Sequence, residues 1–239
     1  METNQSIPVI ILSGGHGINI GTENNTPKGL LLVNKKTLLE RIFEHYITHG
    51  FCTFFIAAGK GIKEIENLAK EFLKRNPKIS ITVINTGDEN KTGSRIAQMI
   101  PYVKNANMVA LTYSDTYANV NLDELIKEHV KSSKKATLIA VNNRTRFRIL
   151  GLVDNDNTVR GFSKKPILDK DFINGGFYIL NSSVFLLKSL SSDINCVFEN
   201  EVLEELIQEK ELNSFKHFGL WQPVDSERDI REIENLLQI

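Results

Sequence analysis

The sequence predicts an α/β fold built on a mostly parallel central sheet. Three observations predict it: short apolar runs alternate with segments of helical period, a glycine-rich turn comes directly after the first apolar run, and capping residues mark several helix starts. The chain has 239 residues, 41% of them hydrophobic, enough to bury a substantial core in one large domain or two small ones.

Taken in order, "IPVIIL" (7–12) is the first strand. "TLLERIFEHYI" (37–47) opens with a capping box, Thr37 with Glu40, and sets Leu38, Ile42, Phe43 and Tyr46 on one stripe of a helix. "TFFIAA" (53–58) reads as a strand, Ile62, Ile65, Leu68, Ala69, Phe72 and Leu73 mark a second helix, and "ISITVI" (79–84) gives a third strand. Ile96, Met99, Ile100 and Val103 predict a helix leading into "NMVALTYSD" (107–115), a buried strand with a polar end. Asn121 with Glu124 caps the next helix, and "ATLIAV" (136–141) resumes the sheet.

After residue 145 the texture changes. "ILGLVDNDNTVRGFS" (149–163) predicts a hairpin turning at Asn155 to Asn157, and "FINGGFYILN" (172–181) a glycine-interrupted strand. Helical patterns return in "FENEVLEELIQE" (198–209) and in "SERDIREIENLL" (226–237), with Ser226 as N-cap. No linker, repeat or low-complexity tract interrupts the chain. One continuous domain over 1–239 is expected, with 1–145 as the nucleotide-binding half and 146–239 supplying the rest of a cleft.

Composition excludes several classes. Lys plus Arg number 29 and Asp plus Glu 29, so no global basic field favours nucleic acid or an anionic membrane, and a charged ligand must be met locally. Cys52 and Cys196 match no CxxC spacing and fit core thiols of a reducing compartment. No apolar run approaches the roughly 20 residues a bilayer span needs, and Met1 to Pro8 is too polar for a secretory signal, so a cytoplasmic protein is expected.

The chemistry-bearing stretch is "LSGGHGINIGTENNTPKG" (12–29). Glycines at 14, 15 and 17 let backbone N–H groups approach an anion without side chains in the way, although Gly-Gly after a strand is also how a tight turn is made. The rest of the chain decides between the two. "GGHGINI" and "TPKGLL" resemble the glycine loop and Pro-Lys of the sugar-phosphate nucleotidyltransferases, and the glucose-1-phosphate cytidylyltransferase type most of all. "NTGDENKTGSRI", "LTYSDTYANVNL", "RFRILGLVD", "GFSKKP", "INGGFYILN", "FENEVLEEL" and "GLWQPVDSERD" continue in that family's order at about its spacing.

The resemblance implies a three-layer, Rossmann-like nucleotide-diphospho-sugar transferase fold. It implies a reaction in which a sugar 1-phosphate attacks the α-phosphorus of CTP and releases pyrophosphate, in surface-polysaccharide synthesis. Asp115 and Asp225 match the family's Mg²⁺ ligands, where local sequence alone allows a turn aspartate and a helix-start charge. Lys28 matches the lysine on the nucleotide phosphates and Lys165 the one on the acceptor phosphate. Leu12, Gly14, Gly15 and Gly17 belong to the nucleotide loop, and Thr92, Gly93 and Arg95 match the segment that contacts cytosine; Arg95 is equally readable as a surface residue opening a helix. Asn174, Gly175 and Gly176 match the sugar-facing segment, or a strand thinned for close packing. Trp221 fits either a cleft wall or the core. Relatives of this kind are commonly homo-oligomers.

Three departures stand out. The family's Thr-Arg in the loop is Ile18-Asn19 here, with His16, Lys35 and Lys36 nearby. The acidic residue before the acceptor lysine is Lys164 here, which cannot accept hydrogen bonds from sugar hydroxyls and so points to an acceptor unlike glucose, a more anionic sugar phosphate or another phosphorylated metabolite. "PKP" becomes "PKG", and the loop is about one residue shorter than in the cytidylyltransferase form. Two other classes compete: a catalytically silent nucleotide-binding regulatory module, which Asn19 favours, and a GT-A-type glycosyltransferase, which Asp115-Thr116-Tyr117 in place of Asp-x-Asp disfavours.

Overall fold

The structure is a computed structural model that describes residues 4–15, 26–142, 149–152, 159–163 and 172–237. In chain order the elements are β1 (Val9–Ser13), β2 (Leu32–Val33), β3 (Lys36–Thr37), α1 (Leu38–Thr48), β4 (Thr53–Ala58), α2 (Ile62–Arg75), β5 (Ser80–Asn85) and α3 (Thr92–Val103). Next come β6 (Met108–Tyr113), β7 (Thr116–Ala118), α4 (Leu122–Ser132), β8 (Ala136–Asn142), β9 (Ile149–Leu152), β10 (Val159–Ser163) and β11 (Phe172–Asn181). A π-helical turn, Phe198–Val202, then leads into α5 (Leu203–Gln208), β12 (Leu212–His217), β13 (Trp221–Pro223) and α6 (Glu227–Leu236).

The main sheet has seven strands in the order β12-β8-β11-β6-β1-β4-β5. Every pairing within it is parallel except those of β11, which runs antiparallel to both β6 and β8. Strands buried on both faces must be apolar throughout, which is why β1 reads as a continuous run. Its residues divide between two cores. Val9 and Ile11 pack with Leu39, Ile42, Phe43 and Tyr46 of α1 on one face. Ile10 and Leu12 pack with Ile96, Met99 and Val103 of α3 on the other. The result is helices on both sides of a sheet, the three-layer arrangement expected.

The local signals hold in detail. The Thr37–Glu40 capping box is formed, with both reciprocal bonds, and Asn121 accepts from the Glu124 N–H at the start of α4. Ser226 caps α6 by accepting from the Asp229 N–H. β9 and β10 pair antiparallel as the expected hairpin, whose turn at Asn155 to Asn157 lies outside the described residues. Both cysteines are free thiols, Cys196 buried and Cys52 partly so. One strand of the seven-stranded sheet escapes the sequence reading, as do the short pairs β2–β3 and β7–β13: β12, "LNSFKH", adds to the sheet parallel to β8 at its edge. With few apolar residues, it lacks the run that marks a strand buried on both faces.

A third, small cluster positions the functional region. Leu31, Val33, Leu38, Val224 and Ile233 pack together, so α6 is anchored against the β2–β3 hairpin. This fixes the segment just before α6 beside the segment just before β2.

Candidate active site

The parallel strands β1 and β6 end side by side, and a cleft of about 300 Å³ opens at their C-terminal ends. Cavities in parallel α/β sheets gather there because the strand-to-helix turns leave backbone groups unpaired. The lining includes Leu12, Gly14, Gly15, Lys28, Thr92, Arg95 and Asp115, so most nucleotide-side candidates converge.

Lys28 stands between the two carboxylates. Its Nζ lies 3.1 Å from Asp115 Oδ2 and 2.7 Å from Asp225 Oδ1. The chain achieves this by pairing β7 with β13: Thr116 sits opposite Pro223, and the Val224 N–H donates to the Asp115 carbonyl at 2.8 Å. The residue preceding one strand and the residue shortly after the other are thereby placed together. Burial alone would push the Lys28 ammonium down, but the hydrogen bond to Asp225 and the field of Asp115 outweigh it, and the group titrates above its ordinary value. Asp229 completes the mount: buried, it accepts from the Asp225 N–H and the Ser226 hydroxyl, each at 2.9 Å.

Asp115 and Asp225 offer hard oxygen donors directed at one point, the point where Lys28 Nζ now lies. Among the described residues no set of three or more His, Cys, Asp or Glu gathers around a common centre. A cation held here would take two carboxylates and complete its shell from phosphate and water, which suits Mg²⁺.

Arg95 is a strut under the glycine loop. Its side chain is buried, contrary to the surface alternative, and donates to the Gly14 carbonyl at 2.7 Å, the Thr86 hydroxyl at 2.6 Å and the Asp88 carbonyl at 3.1 Å. A Cβ on Gly14 would fall 1.8 Å from Arg95 Cζ, so a larger residue there must displace the buried guanidinium; among the described residues, a Cβ on Gly15 would meet nothing within 4 Å. Gly93 abuts Cys196, whose Sγ would lie 2.4 Å from an added Cβ.

Asn174, Gly175 and Gly176 form an irregularity in β11 and do not themselves line the cleft, although Gly176 lies against the ring of Tyr113, which does. The Asn174 Oδ1 accepts from the Gly176 N–H, Gly176 takes φ +78°, and the Gly175 carbonyl accepts from Trp221 Nε1 at 2.8 Å. Trp221 is half-buried against the core below β11, joining the glycine pair to β13. Gly17, His16, Ile18, Asn19, Lys164 and Lys165 lie outside the described residues.

Three residues at the site went unnoticed in the sequence. Asp229 could have been found, since Ser226-x-x-Asp229 is a capping-box spacing. Tyr113 and Glu199, which are hydrogen-bonded to each other on the cleft wall, carry no local signal.

Fold and site together define an α/β protein whose cleft, at the ends of parallel strands, sets a glycine loop beside a lysine and two convergent carboxylates. The chain belongs to the nucleotidyl transferase family, whose model matches residues 8–238. It is 34% identical to the glucose-1-phosphate cytidylyltransferase of Salmonella typhimurium, over 95% of this chain and 94% of that one. It is 26% identical to the D-glycero-alpha-D-manno-heptose 1-phosphate guanylyltransferase of Aneurinibacillus thermoaerophilus, over 96% and 97%. Among solved structures, that of HddC from Yersinia pseudotuberculosis complexed with GMP-PN superimposes with a TM-score of 0.72 at 19% identity, covering 97% of this chain and 99% of that one, which establishes the shared fold. Among the described residues no helix is long and apolar enough to cross a membrane.

Proposed function

We propose that this enzyme transfers a cytidylyl group from CTP to a sugar 1-phosphate. An oxygen of the acceptor phosphate attacks the α-phosphorus, the bond from that phosphorus to the bridging oxygen breaks, and pyrophosphate leaves. No protein nucleophile is needed; positioning and electrostatics supply the rate. The observation that carries the reading is the convergence of Asp115 and Asp225 on Lys28 Nζ beside the Gly14-Gly15 loop. The likeness to a glucose-1-phosphate cytidylyltransferase over 95% of the chain supports the choice of nucleotide and acceptor class.

Bound between Asp115 and Asp225, Mg²⁺ would supply charge neutralisation to the triphosphate. Lys28, released from the carboxylates, pairs with the nucleotide phosphates, and Lys165 holds the acceptor phosphate. Gly14, Gly15 and Gly17 admit the phosphates to the backbone, Arg95 holds that backbone in place, and Thr92 borders the base, with Gly93 behind it against Cys196. Asn174 to Gly176 border the acceptor.

Nucleotide choice is tested by thermal shift of the protein with Mg²⁺ and each of CTP, UTP, dTTP, ATP and GTP. A ligand at 100 times its Kd stabilises the folded state by about 2.7 kcal/mol. The largest rise is expected with CTP. A rise with GTP alone would reassign the nucleotide, and no rise with any of them would contradict the reading.

A further inference from the structure

The segment 192–199 wraps the start of α3. Cys196 O accepts from the N–H groups of Gly93 at 2.9 Å and Ser94 at 3.2 Å, Ile194 O accepts from Lys91 N–H at 2.9 Å, and Phe198 N–H donates to the Thr92 hydroxyl at 2.9 Å. The N–H groups of Lys91, Gly93 and Ser94 at the start of α3 are therefore taken up by the protein. What this strap presents to the cleft is the Glu199 carboxylate. Its Oε2 accepts from the Thr92 hydroxyl at 2.7 Å, and its Oε1 accepts from the Tyr113 hydroxyl. All three residues line the cleft, and among the described residues no cation pairs with Glu199.

A carboxylate beside a triphosphate cleft with no cation against it among the described residues opposes the ligand's charge, so its placement calls for a compensating role. The bonds themselves indicate the role. Thr92 is the first residue of α3 and Tyr113 the last of β6, two positions before Asp115. A carboxylate is acceptor-only, so both hydroxyls must direct their protons at it and turn lone pairs elsewhere. For Tyr113 this leaves an acceptor free to face the cleft, where it suits a donor such as the cytosine amino group or a ribose hydroxyl.

We propose that Glu199 is a positioning residue for the nucleotide: it locks Thr92 to Tyr113 and sets the Tyr113 hydroxyl as an acceptor. The inference rests on the reading of the cleft as a CTP site. Glu199 touches no reacting atom and acts through its two hydroxyl partners.

The test measures the Kd for CTP by calorimetry and the KM for CTP and for glucose 1-phosphate in the wild type, Glu199→Ala, Glu199→Gln and Tyr113→Phe. Glu199→Ala is expected to weaken CTP by about tenfold or more, the scale of one charge-assisted hydrogen bond. The KM for the acceptor and the melting temperature should stay unchanged. Glu199→Gln should recover part of the loss, because its amide oxygen still accepts one hydroxyl. Adding Tyr113→Phe to Glu199→Ala should cost little more, since the two share one interaction. If Glu199→Ala does not fold, Tyr113→Phe carries the test, with the same split expected between CTP and acceptor. Unchanged CTP affinity, or equal rises in both KM values with a falling melting temperature, overturns the proposal. A wild type that binds CTP without turnover defeats the catalytic reading and leaves this inference to be decided by the Kd values. A wild type that binds no nucleotide overturns both.

Discussion

Lys28 and Asp225, 197 residues apart in the chain, meet at 2.7 Å. The meeting is built by packing: Ile233 of α6 and Val224 bury against Leu31, Val33 and Leu38, so the two ends of the chain close on one point. Lys28 thus holds a place between two carboxylates that would otherwise repel each other.

Replacing Lys28 with Met removes that cation. Turnover is expected to fall by on the order of 10² to 10³, the usual cost of losing one charge-stabilising donor. The free protein should bind Mg²⁺ more tightly than wild type, because the carboxylates lose their resident partner. Pyrophosphate release measures the first and Mg²⁺ calorimetry without nucleotide the second.

The two adjacent loop glycines should respond differently to an added methyl group. Gly14→Ala drives a Cβ into the Arg95 guanidinium, so stability should drop by about 1–3 kcal/mol and CTP binding with it. Gly15→Ala meets none of the described residues within 4 Å and should leave the melting temperature of the free protein unchanged. Loss of CTP affinity in Gly15→Ala at constant melting temperature would mark the point where phosphate approaches the backbone.

Ile233→Ala tests the mount from a distance. The side chain is fully buried, so the cavity is expected to cost about 2–4 kcal/mol by denaturant titration. Activity should fall as well, under conditions where the variant is still folded, because α6 no longer seats Asp225 against Lys28.

His45 sets an acid limit to stability. Burial first, then the neighbouring His49 and His217, lowers its pKa from 6.5 to about 4, and among the described residues its buried Nε2 has no hydrogen-bond partner. The unfolded chain takes up a proton below pH 6.5 while the folded one does not. The contribution is therefore complete above 6.5, declines as pH falls, and is gone once pH passes about 4. Its size is on the order of 3 kcal/mol. His45→Gln should flatten that part of the stability curve; an unchanged slope between those limits would contradict the assignment.

Much of this was legible locally. The β4 range 53–58 and the caps at Thr37, Asn121 and Ser226 depend on neighbours a few residues away, and the sequence states them directly. Arg95 was ambiguous because a charged residue one turn into a polar helix start usually faces water; its burial is dictated by Gly14, 81 residues earlier. Glu199 was invisible because its meaning lies in Thr92, 107 residues away. Asp115 and Asp225 could be paired only through the family resemblance, since the β7–β13 contact that joins them consists of three residue pairs with no strand pattern of their own.

The most direct measurement is pyrophosphate release by the purified protein supplied with CTP, Mg²⁺ and a panel of phosphorylated acceptors headed by glucose 1-phosphate. The account predicts release that requires both a sugar 1-phosphate and Mg²⁺ and that collapses in Lys28→Met. A folded protein that binds CTP yet releases no pyrophosphate with any acceptor would contradict it.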